Sequence, residues 1–296
     1  MLEDRAAGCL VGLACGDAVG TTLEFKRRGT FDPIADMTGG GPFNLRPGQW
    51  TDDTSMALCL AQSLLELQDF DADDQMSRYC DWFYKGTFSS TGKCFDIGNT
   101  VRSALELFQI TGNPFSGSSD PASAGNGAIM RLAPVPMFYF SVPDKAIHYA
   151  ALSTRTTHAA PECIDAGRYF CAVLMRAMLS KDKSAVIATA YQPEQENIKL
   201  LHSGAFLRKS YAELTGSGYV VESLEAALWC FYHGADFRES ILLAANIGND
   251  ADTTAAVCGQ ICGAFYGLNA IPRDWRKKIT LSAQIESTAR ELFKLG

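Results

Sequence analysis

The 296-residue chain has only four histidines, and its ten cysteines contain no C-x-x-C. A thiolate zinc site and a dithiol redox motif are therefore excluded. Cys258 and Cys262 share one helical face in an apolar run, and Cys9 and Cys15 lie in a second small-residue stretch. Such thiols behave as small buried hydrophobes, and unpaired ones suit a reducing cytoplasm. There is no Walker sequence and no G-x-G-x-x-G, so two common phosphate cradles are missing. Period-two alternation is scarce, and no Asn-Gly hairpin joins β-branched runs, which argues against a sheet. No Pro/Ser/Gly linker or block of like charge marks a boundary, so one domain over residues 1–296 is expected. The formal net charge of −7 argues against a general nucleic-acid binder, because that binding is driven by Lys and Arg. It leaves room for one small anionic ligand. The N-terminal apolar stretch follows Glu3, Asp4 and Arg5 and is interrupted by glycines. It reads as too short to span a membrane and lacks a signal-peptide layout.

What is present is helical periodicity. Apolar residues recur at helical spacing over Ala6–Ala18, Ser55–Leu67, Met76–Tyr84, Asn99–Phe108, Ala146–Ser153, Cys163–Leu179, Val220–Tyr232, Arg238–Ala245 and Thr253–Tyr266, which predicts an all-α fold. Asn126–Phe140 is apolar but holds Pro134 and Pro136, so a kink or break is expected there. The tail Trp275–Leu295 reads as amphipathic. Gly8, Gly12 and Gly16 repeat at four-residue spacing, as do Gly259, Gly263 and Gly267. On a helix each set makes a ridge without side chains that permits close packing.

Two acidic clusters carry the chemistry. Thr51-Asp52-Asp53-Thr54 and Asn249-Asp250-Ala251-Asp252-Thr253-Thr254 lie about two hundred residues apart, and each opens an expected helix. Taken singly, such acids serve as helix caps. Taken together, their carboxylates and hydroxyls form a hard-oxygen ligand set for two Mg²⁺ or Mn²⁺ ions. Asp17 and Glu24, taken alone, read as surface groups, and Asp96 as a helix N-cap. The Gly-rich segments Met37–Trp50 and Ser123–Arg131 are suited to approach a ligand closely, and the second to hold an anion on backbone N–H groups. His158, taken alone, reads as structural.

The segments GDAVGTTLEF, RPGQWTDDTSMAL, DIGNT, AGNGAIMR, THAAPECIDA, GYVVESLEAALW and NIGNDADTT occur in the order seen in the ADP-ribosylglycohydrolases. From about Arg5 to Tyr266 the chain resembles that family, most closely the dinitrogenase reductase-activating glycohydrolases and the arginine-specific ADP-ribosylhydrolases. The resemblance implies a compact all-α fold with a binuclear Mg²⁺ or Mn²⁺ cleft and removal of ADP-ribose from an ADP-ribosylated protein. It implies that Thr51, Asp52, Asp53, Asp250, Asp252 and Thr253 hold the metals, with Asp53 also counted in the catalytic set. Glu24 matches a candidate base or ribose-positioning group, and Asp96 the aspartate that faces the arginine linkage. Gly125, Asn126 and Gly127 match the loop around the phosphates and ribose. His158 matches a residue near the nucleotide, and Tyr219 an aromatic residue beside the ligand.

Two positions depart from the family pattern. Gly248-Asn249-Asp250 replaces Gly-Gly-Asp, a change that asparagine's tolerance of left-handed backbone should absorb. Trp50 replaces a smaller residue next to the first ligands, where it is expected to line the entrance. The leading expectation is an ADP-ribosyl-arginine hydrolase, favoured by Asp96 and the GYVVESL segment. The alternatives are a hydrolase of O-linked ADP-ribose (on serine, in poly(ADP-ribose) or in O-acetyl-ADP-ribose) and a non-catalytic ADP-ribose-binding relative.

Overall fold

The computed structural model describes residues 1–296, and every regular element in it is helical. The α-helices are α1 (Leu2–Gly20), α2 (Asp52–Leu67), α3 (Ala72–Lys85), α4 (Asn99–Thr111), α5 (Pro134–Phe138), α6 (Pro143–Arg155) and α7 (Pro161–Leu179). They continue with α8 (Lys183–Ile187), α9 (Glu196–His202), α10 (Val220–His233), α11 (Phe237–Ala245), α12 (Ala251–Tyr266), α13 (Arg273–Lys278) and α14 (Ser282–Leu295). The apolar runs expected to be helical all fall within these elements, so the all-α reading holds. One connected core of 82 buried residues runs through the molecule.

The centre of that core is the antiparallel pair α1 and α12. The glycine ridges account for it. A Cβ on Gly8, Gly12, Gly16 or Gly20 would overlap the backbone carbonyl of Gly263, Gly259, Ala255 or Ala251 respectively, and Gly259 and Gly263 are barred in the same way by Gly12 and Gly8. Main chains that touch leave one register in which both ridges fit. That register sets the C-terminal end of α1 beside the N-terminal end of α12, where the second acidic cluster lies. Segment Leu2–Leu23 is long and apolar enough to cross a membrane, contrary to the expectation of a stretch too short to do so, and its apolar window is wholly buried within the fold.

The break expected at the prolines is present, and the reading of the tail needs correction. Residues 126–133 form turns, and the helix begins only at Pro134, which occupies its first turn. A proline there removes an N–H that would have had no helical partner, so it starts the helix rather than kinking one. The tail is two helices, parted at Leu281 with φ +56°. The Thr280 N–H bonds the Gly48 carbonyl, and the Thr280 carbonyl accepts from the Trp50 indole at 3.2 Å. These tertiary bonds take backbone groups that a continuous helix would use.

Candidate active site

The two acidic clusters meet. Asp52, Asp53 and Asp252 bring carboxylate oxygens within 4.8 Å of one another, and so do Glu24, Asp96 and Asp252. Thr51 Oγ1 lies 3.3 Å from both Asp53 and Asp252, and Thr253 Oγ1 lies 3.4 Å from Asp53. Asp52 is the first residue of α2 and Asp250 is the N-cap of α12, yet neither helix has a side-chain cap bond. The capping reading of these acids therefore fails.

The cap of α2 comes from elsewhere. Asp17, on α1, accepts from the Thr51 N–H (2.8 Å) and hydroxyl (2.9 Å) with one oxygen. Its other oxygen accepts from the Thr54 N–H (3.0 Å) and hydroxyl (2.6 Å). Asp17 is fully buried, as Glu24 nearly is, so neither is a surface group. By satisfying the first N–H groups of α2 from outside, Asp17 leaves Asp52 and Asp53 free to face each other. A charge in the middle of the small-residue run LACGDAVG was the available signal, because a buried charge needs partners.

Above the clusters opens a cavity of about 680 Å³, a size suited to a ligand of drug-like bulk. Glu24, Asp52, Asp96, Asp250 and Asp252 line it, and no lysine or arginine does. Burial first, then the neighbouring carboxylates, pushes Asp52, Asp53 and Asp252 well above the usual carboxylate range. The same causes raise Glu24 to about 9 and Asp96 to about 7. Asp53 Oδ1, Asp252 Oδ1 and Thr254 Oγ1 are buried with no hydrogen-bond partner. Crowded carboxylates, orphaned oxygens and the absence of a side-chain cation fit a hard divalent metal. Asp250 lines the cavity but stands outside both three-carboxylate groups, and its Oδ2 accepts from Asn126 Nδ2 at 2.7 Å.

These shifts predict a linked dependence on pH and metal. A carboxyl whose folded pKa is raised contributes stability that is present at low pH and lost as pH rises through the folded value. Metal-free protein should therefore lose stability as pH rises through about 6 for Asp17, about 7 for Asp96 and about 9 for Glu24. A bound cation competes with those protons, so the gain in Tm on adding Mn²⁺ should grow with pH across this window. Thermal melts with Mn²⁺ and with EDTA check it, and an equal gain at acid and alkaline pH would refute it.

The opposite wall is the Gly125–Gly127 loop. It pairs with the start of α10 through Asn126 N–H to Gly218 O and Val220 N–H to Ala124 O. Gly125, Asn126, Gly127 and His158 all line the cavity. Gly127 cannot be larger, since a Cβ there would sit 2.8 Å from the His158 ring. At the mouth, Phe25 is 69% exposed with φ +60°, an uncommon conformation for a bulky side chain. Its ring begins an aromatic strip, 6.4 Å from Phe43, which is 5.1 Å from Phe95. Sequence reasoning missed this strip, because Phe25 and Phe43 stand far apart in the connection before α2 and Phe95 comes from the one before α4.

The ADP-ribosylglycohydrolase family model matches residues 1–296. The chain belongs to that family. It is 42% identical to the ADP-ribosylarginine hydrolase Tri1 of Pseudomonas putida (strain GB-1), over 98% of this chain and 78% of that protein. It is 29% identical to the ADP-ribosyl-[dinitrogen reductase] glycohydrolase of Rhodospirillum rubrum, over 96% of this chain and 93% of that protein. Among solved structures, an ADP-ribosylglycohydrolase-related protein complex contains a chain that superposes with a TM-score of 0.88 at 40% identity. That match covers 99% of this chain and 98% of the other.

In this ADP-ribosylglycohydrolase two expected side chains point elsewhere. Trp50 is fully buried, bonds the Thr280 carbonyl and does not line the cavity, so it is a core residue and not an entrance group. Anchoring of its indole N–H by the split tail explains the inward turn. The Tyr219 hydroxyl donates to Glu162 at 2.6 Å and accepts from Asn197 at 3.2 Å. Its neighbours Ser217 and Gly218 line the cavity in its place. Asn249 has φ +58°, as the Gly-to-Asn departure required.

Proposed function

We propose that this ADP-ribosylglycohydrolase releases ADP-ribose from ADP-ribosylated arginine side chains of proteins, restoring free arginine, with two Mg²⁺ or Mn²⁺ ions at the carboxylate floor. The observation that carries the reading is that Asp252 belongs to both three-carboxylate groups, so one side chain can serve two adjacent cations. Its similarity to Tri1, named an ADP-ribosylarginine hydrolase in two bacteria at 42% and 41% identity, supports the arginine linkage. Bound there, the ions would neutralise the clustered acids and supply Lewis acidity toward sugar oxygens and water.

The chain's own residues do the rest. Thr51, Asp52, Asp53, Asp252 and Thr253 form the ligand floor, with Asp250 beside it on the loop wall. Asp53 is buried beneath the cavity lining, so it acts through what it holds. Asp96 and Phe25, the first ring of the aromatic strip, both line the cavity, where a carboxylate and an aromatic face suit a planar guanidinium. Glu24, beside Asp96 and Asp252, orients the attacking water or the ribose. The N-glycosidic bond breaks as water adds to the anomeric carbon and the guanidine leaves with a proton. Asp96 is placed to hold the guanidinium through that exchange.

The deciding assay measures free ADP-ribose released from arginine-ADP-ribosylated and serine-ADP-ribosylated proteins, with Mg²⁺, with Mn²⁺ and with EDTA. Metal-dependent release from the arginine conjugate is expected. Asp96→Asn should lower it by about 10²-fold or more, the usual contribution of a positioned proton-transfer group. Release from the serine conjugate alone would overturn the arginine reading.

A further inference from the structure

Behind the Gly125–Gly127 loop runs a line of three buried polar side chains that the chemistry above does not use. Arg131 is 1% exposed and takes part in no ion pair. Its Nη1 donates to the Gly127 carbonyl at 2.6 Å and its Nη2 to Thr157 Oγ1 at 2.7 Å. Its guanidinium lies 4.8 Å from the centre of the Tyr79 ring. Thr157, fully buried, places the same Oγ1 2.8 Å from His158 Nδ1. The far nitrogen of that ring, Nε2, lies against Gly125 and Gly127 on the cavity wall, where Cβ atoms on either glycine would crowd it.

The positions of the protons follow from counting donors and acceptors. Arginine only donates, so Nη2 occupies a lone pair of Thr157 Oγ1. The Thr157 hydroxyl hydrogen then has one acceptor in reach, His158 Nδ1. Were Nδ1 to carry the hydrogen instead, the hydroxyl hydrogen would be buried with no acceptor, an arrangement that folded proteins avoid. Burial and the nearby Arg131 charge also keep the imidazole neutral, lowering its pKa to about 3. A neutral ring whose Nδ1 accepts must hold its hydrogen on Nε2.

We infer that Thr157 and Arg131 are positioning residues that lock His158 in its Nε2–H tautomer, so that the ring presents a neutral N–H donor to an anionic ligand oxygen. The Gly127 N–H beside it has no protein acceptor, and Arg131 holds the Gly127 carbonyl on the far side of the loop. The identity of the ligand rests on the proposed ADP-ribose site. The tautomer does not.

Long-range ¹H–¹⁵N spectra of the ¹⁵N-labelled full chain test this, and four histidines leave few signals to assign, with His158→Asn marking the one of interest. A protonated-type Nε2 and an unprotonated-type Nδ1 are expected between about pH 6 and 8. A protonated Nδ1, or an imidazolium, in the wild-type chain overturns the inference without any variant. In Thr157→Val the tautomers should mix and ADP-ribose affinity should fall about tenfold, the scale of one hydrogen bond to a charged group. Thr157→Ser should restore both. An unchanged tautomer in folded Thr157→Val overturns the positioning role. If the wild type fails to bind ADP-ribose, the assigned function falls while the nitrogen spectrum still decides the tautomer.

Discussion

Asp252→Asn should bind neither of the two proposed metal ions, whereas Asp52→Asn should lose one, and each should release ADP-ribose at least about 10²–10³-fold more slowly than the wild type. The asymmetry comes from geometry. Asp252 stands within 4.8 Å of the other members of both acid groups, and Asp52 belongs to one only. Asparagine keeps the volume and one oxygen but removes the charge that a hard cation requires. The substitutions should not harm the fold, because both carboxyls are held far above their usual pKa by burial and like charge. Removing either charge relieves repulsion in the metal-free chain. Calorimetric titration with Mn²⁺ gives the stoichiometry and the release assay the rate. Two retained equivalents in Asp252→Asn would refute a site built on a shared carboxylate.

Gly12→Val and Gly259→Val should each destabilise the protein by about 3 kcal/mol or more, the upper range for overpacking a core. The sign is the informative part. In an exposed helix interior, replacing glycine with alanine gains about 1 kcal/mol. Here even the first added carbon of Gly12 or Gly259 would overlap a carbonyl of the facing helix, and a backbone cannot move aside as a flexible side chain can. At about 2.1 cal/mol/K per residue, a loss of that size lowers Tm by roughly 5 °C in a chain of 296 residues. Activity should fall as well, because the same ladder fixes Glu24, which follows α1, against Asp252 at the start of α12. Circular dichroism melts check the first effect and the release assay the second. A Tm unchanged within about 2 °C would show that the two helices have room to separate.

Much of the fold was legible in the chain. The helices follow from apolar periodicity, because every long one buries a face in a single core. The close contact of α1 with α12 was foreshadowed by glycines four apart, since only a bare ridge lets two backbones touch. The TDDT and NDADTT clusters announced hard-oxygen chemistry, and the resemblance to the ADP-ribosylglycohydrolases, not any local pattern, pointed to Gly125–Gly127, His158 and Asp96, which line the same cavity.

Tertiary structure decided what each group faces. Periodicity cannot show that Asp17 crosses from α1 to cap α2, because its four donors lie more than thirty residues downstream. It also cannot show that Glu24 and Asp96 join Asp252, that Trp50 turns inward to the split tail, or that Tyr219 turns to Glu162. The last helix divides because the Gly48 carbonyl and the Trp50 indole claim the backbone of Thr280. Local sequence sets which conformation each segment prefers and which chemical groups it carries. Which carboxylates share one site, and which proton His158 keeps, depend on partners far away along the chain, and only the packing of α1 on α12 and of the loops above them brings those partners into reach.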